Sequence, residues 1–186
     1  MVIFRPLSIF LLFGSICFAQ RTPRRCADVP IPLSDGKTIH ISQYHDKVVL
    51  IAMMKTDCPE CHATLGFMSR LQHEMGARGF QAIAVAIDDN RALVKPYAER
   101  YRFPFPVGSL DPGGAIKLMD LRADAHPVVP YLIFVDWEGN VRFQYAGNDP
   151  IFNEAERNLR AVADGLLRQA IEKKGPTYET RPAGKQ

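Results

Sequence analysis

The chain has 186 residues, 47% of them hydrophobic and 23% charged, with 14 prolines and 13 glycines. That length and balance suit one folded domain with a sizeable core, and exclude wholesale disorder, a coiled coil, a collagen-like chain and a multi-span membrane protein. A formal net charge of +3, spread evenly, argues against nucleic acid as the main partner, and four cysteines are too few for a disulfide scaffold.

Residues 1–19 place one positive residue, Arg5, before an apolar run that ends at Cys17-Phe18-Ala19. This is the pattern of a secretory signal peptide cleaved after about Ala19; the alternative is an uncleaved N-terminal anchor. Export places the chain in the bacterial periplasm or secretes it, where disulfides persist. Cys26, Cys58 and Cys61 then remain in the mature chain. A membrane is a partner only if the segment stays attached.

Residues 20–35, rich in Pro and Arg, read as a linker, and the domain is expected over 36–173. Thr38 to Ile41 reads as a short strand. Val48 to Met54 is an unbroken apolar run, which suggests a strand buried on both faces. Pro59 to about Arg78 reads as a helix, with Leu65, Met68, Leu71 and Met75 at helical spacing and Gly76 and Gly79 ending it. Phe80 to Ile87 is a second buried strand. Asp88-Asp89-Asn90 is expected to cap a helix that runs through Tyr101, with Pro96 kinking it or shifting its start. Asp111 to Gly114 reads as a turn before a short helix to Leu121. Tyr131 to Val135 and Val141 to Tyr145 form a hairpin about the turn Trp137-Glu138-Gly139-Asn140. Phe152 to about Lys173 is a long amphipathic helix whose inward face is Ala155, Leu159, Val162, Leu166 and Ala170. Residues 174–186 form a polar tail. An early βαβ unit followed by an antiparallel hairpin implies an α/β fold, a central mixed β-sheet with helices on both faces.

Cys58-Pro59-Glu60-Cys61 falls where the first buried strand hands over to a helix. Unpaired N–H groups and a partial positive charge at that helix end favour a thiolate on Cys58. The two-residue spacing lets Cys61 attack a mixed disulfide formed at Cys58. Half a zinc site, a static disulfide and two plain core cysteines are the competing readings, but no second CxxC or close His pair supplies further ligands.

The stretch from Lys47 to Asp89, with CPEC between strand and helix, resembles the thioredoxin superfamily, and more narrowly its exported TlpA/ResA-like redoxin members. The segment from Val128 to Asn140 is similar to that family's second signature. The resemblance implies a thioredoxin-like fold with an N-terminal extension and a helical insert. It implies that Pro130 is a cis-proline facing the cysteines and that Val129 offers backbone to an extended substrate. It implies thiol–disulfide exchange with protein dithiols and disulfides, an unidentified thiol donor or acceptor of electrons, and no cofactor beyond the redox-active disulfide. The chain departs from the family in two places. Asp57 stands where an aromatic residue is usual before the first cysteine, and Ala52 stands where relatives carry a buried polar group. Asp57 is expected to cap the helix with Glu60, a capping-box-like pair that opposes the thiolate.

His126, four positions before Pro130, opens a metal alternative that resembles Sco-type copper proteins, with Cys58, Cys61 and His126 as ligands. Their cysteines are spaced by three residues rather than two. A peroxidase-type redoxin wants Thr-x-x-Cys, but position 55 is Lys. His62 is expected on the helix surface. Cys26 is expected to be a non-catalytic thiol, unpaired in the arm, with a handle for dimerisation or an additional resolving cysteine as the alternatives.

Overall fold

A computed structural model describes residues 23–88 and 90–175. The segment expected to be a signal peptide at 1–19, Asp89 and most of the tail lie outside the described residues. In chain order the strands are β1 (Arg24–Arg25), β2 (Ile31–Pro32), β3 (Thr38–Ile39), β4 (Val48–Met54), β5 (Phe80–Ala86), β6 (Val107–Ser109), β7 (Tyr131–Val135) and β8 (Asn140–Tyr145). The helices are α1 (Pro59–Met75), α2 (Val94–Tyr101), α3 (Pro112–Met119) and α4 (Ala155–Lys174). The main sheet runs β1-β8-β7-β4-β5-β6. β4, β5 and β6 are parallel, while β7, β8 and β1 join antiparallel.

β4 sits at the centre and all seven of its residues are buried. Its side chains divide between two cores, because neighbours on a strand point to opposite faces. Val48, Leu50, Ala52 and Met54 face α1 and α4, against Leu65, Met68, Leu71, Leu159, Ala163 and Leu166. Val49, Ile51 and Met53 face α3 and the N-terminal arm, against Val29, Ile31, Ile39, Ile41 and Leu118. The mixed sheet with helices on both faces is therefore present as expected. In α4, Ala163 rather than Val162 completes the buried stripe; Val162 is only partly buried beside it.

The arm read as linker is built into the fold. Arg24 and Arg25 pair with Val141 and Asn140 at one sheet edge. Val29 and Ile31 are buried under the sheet. The β2–β3 ribbon then docks at the other edge, through a Leu33–Gly108 bridge and Ser34 N–H to Val107 O at 2.9 Å. The arm crosses one face from edge to edge, and both edges gain backbone partners. The strand expected to reach Ile41 stops at Ile39, and a 3-10 turn, Ile41–Tyr44, follows. α2 begins at Val94, after a 3-10 turn capped by Asn90, whose side chain accepts from Ala92 N–H at 3.1 Å. Pro96 thus falls in the first helical turn, where it breaks no intrahelical bond.

Candidate active site

The parallel ladder carries β4 to Met54, and Ile87 N–H extends it by bonding Met54 O at 2.9 Å. The chain then turns, with Cys58 N–H on Lys55 O at 3.3 Å, and enters α1. Cys58 itself is the N-cap: its backbone is extended and its Sγ accepts from Cys61 N–H at 3.2 Å. Pro59 takes the first helical position, where its missing N–H costs nothing. Asp57 is exposed and makes no cap, which corrects the expectation that it would. The sulfur occupies the acceptor role instead. Glu60 reaches back to Cys58, its Oε2 3.8 Å from Sγ.

The two sulfurs differ in access. Cys58 is half-buried and Cys61 is fully buried, and both are free thiols. Burial raises the Cys61 thiol well above its ordinary range, and its contact with Cys58 adds to the shift. Cys58 is thus the more accessible sulfur, with Cys61 one turn behind it.

Residues beyond the motif frame the pair. Asp88, just past β5, accepts from Thr56 N–H at 3.1 Å and from the Thr56 hydroxyl at 2.9 Å. It is a strut between two sheet loops rather than a cap for α2, and it engages the threonine nearest Cys58. His62 is not a free surface position. Its Nε2 lies 2.9 Å from Thr56 O, and because a carbonyl only accepts, Nε2 carries the proton. The imidazole packs against Tyr97 and Tyr101, each with ring centroids 5.1 Å away. Tyr97, Tyr101, Phe103 and Phe105 continue as an aromatic ladder.

The second motif lies at the same end of the sheet. Met53 pairs with Tyr131, so the residue before β7 stands level with the end of β4. The Val129–Pro130 peptide is cis. Pro130 is buried, Val129 half-buried and Val128 exposed. Gly147 N–H holds Val128 O at 2.9 Å, and a Cβ on Gly147 would come within 2.6 Å of Val129 O. His126 is exposed on the preceding loop. Among the described residues no group of three or more His, Cys, Asp or Glu could hold a metal, so His126 is not brought to Cys58 and Cys61.

Cys26 is remote from this end. Its N–H bonds Gly139 O at 2.9 Å, beside the turn that follows β7, and it packs on the opposite face of the sheet. Seven residues of strand, at roughly 3.3 Å each, separate the two ends. That placement removes it as a resolving cysteine for Cys58.

The family model of the AhpC/TSA family matches residues 23–144. The chain belongs to the AhpC/TSA family. Curated relatives include thiol-disulfide oxidoreductase ResA of Oceanobacillus iheyensis, 29% identical over 83 residues, or 45% of this chain and 43% of that protein. ResA of Geobacillus kaustophilus is 24% identical over 68% of this chain and 70% of its own length. The chain thus spans less than half of the first relative and about two thirds of the second. Among solved structures, a thioredoxin-family thiol:disulfide interchange protein from Chlorobium tepidum superposes with a TM-score of 0.65 at 20% identity, over 80% of this chain and 99% of that one. The exposed lipoprotein thioredoxin of Streptococcus pneumoniae gives 0.59 at 22%, over 75% and 100%. These likenesses bear out the thioredoxin-like fold.

Within this AhpC/TSA chain, the family match begins at residue 23, so it includes the N-terminal arm. Sequence reasoning missed Thr56, Asp88 and Tyr97. The Thr56–Asp88 bond joins residues 32 apart, and no spacing rule reports such a contact. Tyr97 carried only a weak signal, as one of four aromatic residues between positions 97 and 105.

Proposed function

We propose that this chain is an exported thiol–disulfide oxidoreductase that exchanges disulfides with protein substrates through Cys58 and Cys61. One observation carries the reading: an accessible sulfur caps a helix N-terminus, and a second, buried sulfur lies one turn behind it. The Cys58 thiolate attacks one sulfur of a substrate disulfide. A Cys58–substrate disulfide forms, and the other substrate sulfur leaves as a thiolate that takes a proton. Cys61 then loses its proton and attacks Cys58, closing the Cys58–Cys61 disulfide and releasing the second substrate thiol. Two electrons have passed from protein to substrate. Run backward, the oxidised protein accepts electrons from a substrate dithiol. The dithiol/disulfide pair is the only redox group these steps use. Val129 and Pro130, level with the end of β4 that leads to Cys58, would offer their backbone to an extended substrate. Asp57, Pro59 and Glu60 tune the pair through charge and helix start. Export rests on the residue pattern of 1–19.

The test is entrapment. Cys61→Ser protein incubated with oxidised glutathione holds one glutathione on Cys58, while wild-type protein passes on to the internal disulfide. Cys58→Ser protein forms neither. Equal adducts in Cys58→Ser and Cys61→Ser would contradict the reading.

A further inference from the structure

Tyr97 carries a buried hydroxyl that the exchange steps above leave unused. Only 7% of the residue is exposed, and its oxygen has no hydrogen-bond partner. An unsatisfied buried hydroxyl costs stability, and one retained beside a reactive pair calls for a reason. Its neighbourhood supplies one. The ring packs in the core that holds Cys61, above a sheet face of small residues, Ala52, Ala84 and Ala86. Its position is fixed by His62, the residue next to Cys61, and by Tyr101 at 4.8 Å. Burial first, then the charges of Tyr101, Cys61, Cys58 and Asp88, hold the phenol protonated well above its ordinary range, and Tyr97 shares one buried core with Cys61, against which Cys58 also packs.

Cys61 faces the complementary difficulty. It must become a thiolate to resolve the mixed disulfide, yet burial, Cys58 and Glu60 all oppose that charge. No carboxylate sits on the adjoining strand face, where Ala52 stands. We propose that the Tyr97 hydroxyl donates its unspent hydrogen bond toward the Cys61 sulfur as that sulfur becomes a thiolate, and so speeds the resolving step. This rests on the oxidoreductase reading above. Tyr97 keeps its proton throughout. The Cys61 proton passes to solvent, and the departing substrate thiolate is protonated in turn. His62 acts as a positioning residue, clamped by the Thr56 carbonyl and holding the Tyr97 ring.

The experiment uses the full chain with Cys17 and Cys26 changed to Ala, and Ellman's reagent as the disulfide. Rapid mixing gives two releases of nitrothiobenzoate: Cys58 attacking the reagent, then Cys61 attacking the resulting mixed disulfide. In Tyr97→Phe the second release slows about tenfold at pH 7, as expected for one hydrogen bond to a charged group. The pH midpoint of that second step rises by about one unit, and the two proteins converge at high pH. Thermal stability holds or improves, because a buried unsatisfied hydroxyl is gone. An unchanged second step and midpoint would overturn the proposal, as would equal slowing of both steps with lowered stability. Absence of a second release in the parent protein would instead overturn the oxidoreductase reading on which the proposal stands.

Discussion

Cys58 sits between two opposing influences. The Cys61 N–H at 3.2 Å, backed by the dipole of α1, favours negative charge on its sulfur, while the Glu60 carboxylate at 3.8 Å opposes it. Glu60→Gln removes only the opposing charge. Alkylation of Cys58 at pH 7 should accelerate by about threefold, the scale of one exposed charge at that distance. Because the reduced form is stabilised, the protein should also become a stronger oxidant. No change in alkylation rate would show that Glu60 is turned away in solution. Cys26 answers to burial alone in the main, which raises its thiol from 9.0 to about 11. The folded state binds this proton more tightly than the unfolded one. The stability contributed is therefore fully present below pH 9 and is lost as pH rises through about 11. Melting temperature should fall across that window, and Cys26→Ala should flatten part of the fall; the remainder belongs to Cys61, Tyr97, Tyr44 and Tyr145, which are shifted the same way. An identical decline in Cys26→Ala would contradict this.

At the scale of elements, the strand-to-helix step of β4 and α1 was legible because seven consecutive apolar residues meet a proline at the first helical position. β5, the β7–β8 hairpin and α4 were legible on the same grounds of run length and spacing. β1 and β2 were not: two-residue strands carry no periodicity, and Pro and Arg disguised them. Their role shows only in burial. Ile31→Ala should therefore cost about 2–5 kcal/mol in a denaturant titration, as for a core residue, and not the near-zero cost of a linker position. Gly147 was equally silent in the sequence. Its lack of a Cβ lets β8's end press against the loop that holds Pro130, with the Val129 carbonyl closest. Gly147→Ala should destabilise by about 1–3 kcal/mol through overpacking. It should also slow exchange with a protein disulfide such as insulin more than exchange with glutathione, since only the larger substrate needs that loop. Equal slowing with both would assign Gly147 to stability alone.

For the whole molecule, the topology explains why the two motifs gather at one end of the sheet. Parallel β4 and β5 both deliver their C-terminal ends there, bringing Cys58 and the Asp88 strut, and antiparallel β7 starts there, bringing Pro130. The order of the longer elements, β4, α1, β5, α2, α3, β7, β8 and α4, and both motifs were readable from the residues. The contacts that knit them, Asp88 to Thr56 and His62 to Tyr97, depend on how α1 and α2 settle against each other, which local pattern does not encode. The other end of the sheet holds Cys26, Trp137 and the Lys174–Asp46 ion pair. This molecule should carry one redox couple, seated wholly in Cys58 and Cys61. Its most direct test is the equilibrium of the protein against graded dithiothreitol or glutathione buffers, with thiols counted by alkylation. A reversible two-electron couple, lost in Cys58→Ser and untouched in Cys26→Ala, is the predicted result. No reversible couple at these two cysteines, or one that needs Cys26, would contradict it.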